Sequence, residues 1–225
     1  MIVSAAVVPH PPLLLPGVTG SPVSEVEELR HIAEAATLWV LEQEPDALVL
    51  VGGASTTEWW EPAESSPVAT FAPGVRHDAG RLPLSLAVAR ALLPATAVPV
   101  ASLSVAFDGP RQEALALGAS LANGPNRVGL VVAGDGSARR GVRAPGHLDE
   151  RAASFDAELG KALQAGDTAT LRALDVRLAD ELLAHGRAAL QVLAGAVGAR
   201  PVDAYLDYEA DPFGVWYGVC RWRIR

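Results

Sequence analysis

The sequence predicts an α/β fold: a single domain over residues 1–225, with a central, mostly parallel sheet, helices on both faces and an antiparallel C-terminal strand pair. Three observations carry this. The runs 2–8, 47–51, 98–105 and 128–133 are nearly continuous in Val, Leu, Ile and Ala, as strands covered on both faces are. Segments with apolar residues at helical spacing lie between them, so strand and helix alternate. The last two strand-like runs, 202–208 and 215–224, are separated only by the turn Asp211-Pro212-Phe213-Gly214, which suits antiparallel neighbours at one side of the sheet.

The first strand stops at Pro9-His10-Pro11-Pro12, where the prolines can continue neither a ladder nor a helix. Ser24-Glu25-Val26-Glu27 has the form of a capping box. Val26, Leu29, Ile32, Ala33, Ala36, Val40 and Leu41 then recur at helical spacing, so a long amphipathic helix runs to about Gln43 and ends at Pro45-Asp46. The second strand, 47–51, closes at Gly52-Gly53, which completes a βαβ unit with a right-handed crossover.

Residues 54–66 read as a polar loop whose Trp59 and Trp60 either line a pocket or an interface or form a hydrophobic lid with no ligand. Residues 68–71 form a short strand, and Arg76-His77-Asp78 a Gly/Pro-rich turn. A helix over 83–93, with Pro at its start, leads to the third strand. Phe107-Asp108-Gly109-Pro110 is a turn, 111–121 a helix, and 123–126 a turn into the fourth strand. That strand ends at Gly134-Asp135-Gly136-Ser137, and Arg139, Arg140 and Arg143 follow. Residues 149–163 form a helix with Phe155 and Leu159 on its buried side, and 167–197 a helix–turn–helix.

Half of the 225 residues are hydrophobic, enough for a sizeable core without disulfides or a structural metal. A net charge of −8 argues against a nucleic-acid footprint. Cys220 is the only cysteine, which excludes an intrachain disulfide framework and a cysteine zinc site. The first apolar run lacks a basic flank and ends at prolines, unlike a secretory leader. No apolar stretch reaches the roughly 18–20 residues that cross a bilayer. A cytoplasmic protein without membrane or nucleic-acid partners is expected, and Trp59, Trp60 and an edge of Trp222 at the surface would suit a homo-oligomer.

His10 is held between prolines at the carboxyl end of a parallel strand, where open α/β sheets place ligands. It serves there either as a turn residue or as a metal ligand. His31 lies among charged neighbours and reads as a surface residue, and His77 as a solvated one. His185, late in a helix before Gly186, is either a helix-end cation near the negative pole or a ligand facing the strand ends. Gly134-Asp135-Gly136 is a tight turn without the spacing of a P-loop or a dinucleotide fingerprint.

Pro9-His10-Pro11-Pro12-Leu13-Leu14-Leu15-Pro16, Gly134-Asp135-Gly136-Ser137, Phe155-Asp156, Gly195-Ala196-Val197 and Pro212-Phe213-Gly214-Val215-Trp216-Tyr217-Gly218 occur in that order across nearly the whole chain. In this order they resemble the catalytic chains of the class III extradiol ring-cleavage dioxygenase family. The resemblance implies non-haem Fe(II) held by two histidines and a glutamate, a triad that leaves positions open for catechol and O₂. It maps the first ligand onto His10. The second histidine would follow strand two, where Gly52-Gly53-Ala54 stands, and the acid/base histidine would follow strand four, where Ser137-Ala138 stands. No glutamate aligns with the carboxylate ligand near Ala184 or His185, although Glu181 is one turn away.

Two function classes follow. In the first, the chain is a dioxygenase-like oxidoreductase with a degenerate site, in which His10 and His185 hold Fe(II) or another divalent metal, if any, with Glu58 or Glu181 as a third donor. In the second, it has no metal and binds a small aromatic or anionic molecule through Asp135, Ser137, Arg139 and Arg140, with Arg143 nearby. A third reading is a structural partner that pairs with another subunit, as the resemblance to a family whose members assemble implies.

Overall fold

The computed structural model describes residues 1–60 and 82–225. Its strands are β1 (Ile2–Val8), β2 (Ala47–Ala54), β3 (Glu58–Trp60), β4 (Val100–Ala106), β5 (Val128–Ala133), β6 (Val202–Ala210) and β7 (Tyr217–Ile224). They form one sheet in the order β3-β4-β2-β5-β1-β7-β6. The central four, β4-β2-β5-β1, are mutually parallel. β3 runs antiparallel on β4, β7 antiparallel on β1, and β6 antiparallel on β7. The expected fold class is therefore observed, including the antiparallel C-terminal pair.

The helices are α1 (Ser24–Glu42), α2 (Leu84–Leu92), α3 (Arg111–Leu121), α4 (Arg151–Ala165), α5 (Thr168–Ala173), α6 (Val176–Glu181) and α7 (Arg187–Val197). A short 3₁₀ turn, Pro12–Leu14, follows β1. Two cores flank the sheet. On one face Leu48 and Leu50 of β2 pack with Val26, Leu29 and Val40 of α1 and Leu86 of α2. On the other, Val49 and Val51 pack with residues of α3 to α7. Successive residues of a strand point to opposite faces, so a strand buried on both sides must be apolar throughout. All seven residues of β1 are buried.

The structure corrects the sequence reading at several places. The capping box does not form: Val23 holds the N-cap in extended backbone, and the Ser24 hydroxyl donates to Glu25 (2.9 Å). The helix starts one residue early because the Val23 carbonyl already accepts from Val26 and Glu27. Gly52 and Gly53 do not end β2 but continue it, paired with Ser104 and Val105. Residues 58–60, expected in a loop, add an edge strand. The expected helix–turn–helix is three helices, with Asp167 capping α5 and Asp175 capping α6 through their carboxylates. The short strand expected over 68–71 and the His77 turn lie outside the described residues.

Trp222 is not a surface edge but fully buried, and its indole N–H donates to Leu163 O (2.8 Å). The antiparallel addition of β7 to β1 directs this side chain inward under α4. Trp222→Phe keeps much of the apolar volume and removes a buried hydrogen bond to the Leu163 carbonyl, which retains a longer one from the Gly166 N–H (3.4 Å), so it is expected to destabilise the fold by about 1–2 kcal/mol. Urea unfolding measures the change, and a loss below about 0.5 kcal/mol would show that the indole bond contributes little.

Among the described residues, no helix is long and apolar enough to cross a membrane.

Candidate functional site

Strand register brings the first two site residues together. β1 and β5 are parallel, with Val8 opposite Ala133. Two residues further along each chain stand His10 and Asp135, both buried. The His10 backbone N–H donates to Asp135 Oδ1 (2.9 Å), and the ring nitrogen Nδ1 lies 3.5 Å from the same oxygen. Nδ1 is buried and has no hydrogen-bond partner of its own. Tyr217 begins β7, which pairs antiparallel with β1 in the register Val7 opposite Cys220. Tyr217 thereby reaches the same end of the sheet as His10, and the two line one cavity.

His185 arrives from a different direction. It is not late in a helix, as the sequence suggested, but in the connection between α6 and α7, directly before the N-cap Gly186. The spacing Leu182…Arg187 reads as continuous helix, yet Leu183 takes a positive φ of 55° and breaks it. The dipole argument for a helix-end cation therefore fails, because His185 stands at the amino end of α7 rather than at a carboxyl end. Its ring stacks on Phe107, with centroids 4.5 Å apart and planes inclined by 31°. Phe107 is held from behind by the buried Arg187, whose guanidinium donates to the carbonyls of Phe107 and Gly109 and to Gln191 Oε1.

Two glycines allow these pieces to approach. A Cβ on Gly53 would lie 2.6 Å from the His185 carbonyl oxygen and 2.6 Å from the Phe107 ring. A Cβ on Gly186 would lie 2.6 Å from Asp135 N. The ends of β2 and β5 thus meet the segment leading into α7 backbone to backbone, and Gly53 also lies against the Phe107 ring.

The result is a cleft at the carboxyl ends of the parallel strands, the ligand position of open α/β sheets. One part, about 420 Å³, is bounded by Ser55, Thr56, Trp60, Ser85 and Phe107. A second, about 330 Å³, is bounded by Pro12, Leu13, Asp135, Phe213, Val215 and Tyr217. His10, Leu84 and His185 line both.

The electrostatics favour neutral groups. Burial pushes the Asp135 carboxyl up, opposed by the charges of His10 and His185. Partial burial, then the charge of His10, holds the His185 imidazole below its ordinary value, so it is neutral at pH 7. Burial raises the Tyr217 phenol, with the Asp135 charge adding to it. The cleft therefore offers the uncharged His185 imidazole and Tyr217 phenol against mostly apolar walls.

The remaining residues named from sequence are engaged elsewhere. Ser137 is fully buried, and its backbone N–H and hydroxyl both donate to Asp156 (2.8 and 2.6 Å). Arg140 pairs with Asp211 (2.8 Å), and Arg139 donates to Gly146 O (2.7 Å). Arg143 is exposed and lines a separate cavity beside Phe213. Glu181 pairs with Arg151 (2.6 Å), and Glu58 is exposed on the edge strand. Of the two tryptophans, Trp60 lines the cleft and donates to Ser104 Oγ (2.9 Å), whereas Trp59 is 55% exposed.

Sequence reading missed Phe107 and Tyr217 as site residues. Phe107 directly follows a parallel strand, the same positional signal that singled out His10. Tyr217 is visible only once β7 is known to pair with β1.

Fold and cleft define an α/β protein with a ligand-type cavity where its parallel strands end. No family model matches the chain, and no curated protein matches it. Among solved structures it is similar to the crystal structure of the uncharacterized protein JW3007 from Escherichia coli K12. The TM-score is 0.52 and the sequence identity 13%, over 98% of this chain and 99% of that one. At that identity the likeness concerns the fold alone.

Proposed function

We propose that this chain is a relative of the class III extradiol dioxygenases that keeps the ring-binding cleft without ring cleavage, and binds a small hydroxylated aromatic molecule there. The observation that carries the reading is the pair His10 and His185 on the shared wall of two mostly apolar cavities. Ligand pockets are commonly apolar with a few convergent polar groups, and this cleft has that composition. A phenolic hydroxyl would donate to the neutral His185 imidazole, and Phe107 and Trp60 would cover a ring in the first cavity, or Phe213 one in the second.

The Fe(II) that the resemblance implies does not fit the donor set. A facial triad needs three convergent protein ligands. Among the described residues no three His, Cys, Asp or Glu side chains converge for a metal. Ala54 and Ala138 stand where the resemblance places histidines, and the Asp135 Oδ1 accepts from the His10 amide. No catalytic step is therefore derived through a metal.

Calorimetric titration of chelator-treated protein with catechol and 3,4-dihydroxybenzoate tests the reading. Saturable binding is expected, weakened at least about tenfold by His10→Ala and by His185→Ala, equivalent to about 1.4 kcal/mol each. Absence of saturable binding would overturn it. So would ring-opened product from protein supplied with Fe(II), since that requires the enzyme reading.

A further inference from the structure

The two cavities at the strand ends are neighbours that share lining residues. Each alone lies in the lower part of the range for small-molecule pockets, about 300–1,000 Å³, and a single ring fills only a fraction of their joint space. Their common lining is His10, Leu84 and His185. Beyond these residues the described walls are mostly apolar: Trp60 and Phe107 on one side, Pro12, Phe213 and Val215 on the other, where the polar groups are Asp135, against the His10 ring, and Tyr217. Among the described residues, the other polar side chains of the first cavity are Ser55 and Thr56, which are exposed to solvent, the Trp60 indole, which donates to Ser104, and the Ser85 hydroxyl, committed to the Gly53 carbonyl (2.7 Å).

Burying a polar group against apolar walls without a partner is unfavourable, so a ligand must present its polar atoms where the protein presents its own. That place is the middle of the cleft. We infer that the cleft takes an elongated ligand with two apolar, ring-sized ends and a hydroxyl or enol between them, the ends filling the two cavities and the central oxygen facing His10 and His185. This rests on the ring-binding reading above and goes beyond it in ligand class. A one-ring phenol would occupy one cavity and leave the other empty.

The β-diketone series acetylacetone, benzoylacetone and dibenzoylmethane carries the same central enol with no, one and two phenyl rings. Titrated calorimetrically into the wild-type chain in the presence of chelator, affinity is expected to rise about tenfold with each ring, well short of full area conversion because ordering the ligand opposes it. Ser55→Trp and Ala138→Phe, which narrow the first and second cavity respectively, are each expected to reduce dibenzoylmethane to the affinity of benzoylacetone and to leave benzoylacetone unchanged. Thermal melting establishes that each variant is folded. The wild-type series alone decides the matter if either variant fails to fold.

Equal affinity for benzoylacetone and dibenzoylmethane would overturn the two-ended ligand while leaving the ring-binding reading to its own test. Binding of catechol with none of the three diketones would do the same. Failure of every ligand, catechol included, would overturn both.

Discussion

Gly186→Val is expected to lower the unfolding free energy by about 3 kcal/mol and to abolish ligand binding in the fold that survives. Gly186 has φ −72°, a conformation open to any residue, so the requirement for glycine is purely steric. A Cβ there would sit 2.6 Å from Asp135 N, 2.7 Å from Gly134 Cα, and closer still to Asp135 O. These are backbone atoms at the end of a strand buried on both faces, which cannot swing aside as a side chain does. Overpacking typically destabilises by about 1–3 kcal/mol, and rigid neighbours place this site at the upper end. Whatever shift accommodates the valine must separate the His185 connection from the Asp135 turn, so cleft and fold fail together. Gly186→Ala should show the same direction at smaller size. Denaturant unfolding with parallel ligand titration measures both effects, and a valine variant that unfolds and binds like the wild type would show that the two backbones are not in contact.

The second large effect concerns pH. Asp156 is fully inaccessible, and burial pushes its carboxyl up to about 6 against the opposing hydrogen bonds from Ser137 and the nearby Arg140 guanidinium. A carboxyl with a raised folded-state value binds its proton more tightly in the folded chain than in the unfolded one. Between about pH 4 and 6 the folded state therefore holds more protons, and its stability falls as pH rises through that window. A displacement of two units corresponds to about 3 kcal/mol. Asp156→Asn removes the ionisation while preserving size, and its amide still pairs with Ser137 by accepting from the backbone N–H and donating to the hydroxyl. The unfolding free energy of the wild type minus that of Asp156→Asn is thus expected to decline by about 2 kcal/mol from pH 4 to pH 6, the rest of the effect falling just outside that window, and to be flat above pH 7. Taking the difference cancels the other titrating groups. A difference that is level across the window would show that Asp156 ionises in the folded chain as it does in the unfolded one.

The Asp156 cluster also illustrates how a residue can be noticed for one reason and matter for another. Ser137, Arg139 and Arg140 follow β5 in a loop that reads as an anion site. In the folded chain Ser137 and Arg140 surround a buried carboxylate of the chain itself, and Arg139 ties the loop to Gly146. An internal anion and an external one require the same donors, so local sequence cannot separate them. His185 is the converse case. Its residue type raised the question of a ligand, but its setting at the break between α6 and α7 depends on the positive φ of Leu183, for which no glycine or proline gives warning.

The four parallel strands, the C-terminal pair and most of the helices between them were legible because periodicity and turn chemistry are local, whereas the edge strand β3 and the breaks between α5, α6 and α7 were not. A doubly covered strand must be apolar at every position, and a helix against a sheet must be apolar along one stripe. The meeting of His10 with Asp135, 125 residues apart, was decided only by tertiary structure. It depends on β5 rather than β2 lying beside β1, and on a register that sets Val8 against Ala133. The joining of His185 to that pair likewise required two glycines to let backbones touch. Side-chain pattern records which face a residue occupies, whereas strand order and backbone proximity arise from the packing of the whole chain.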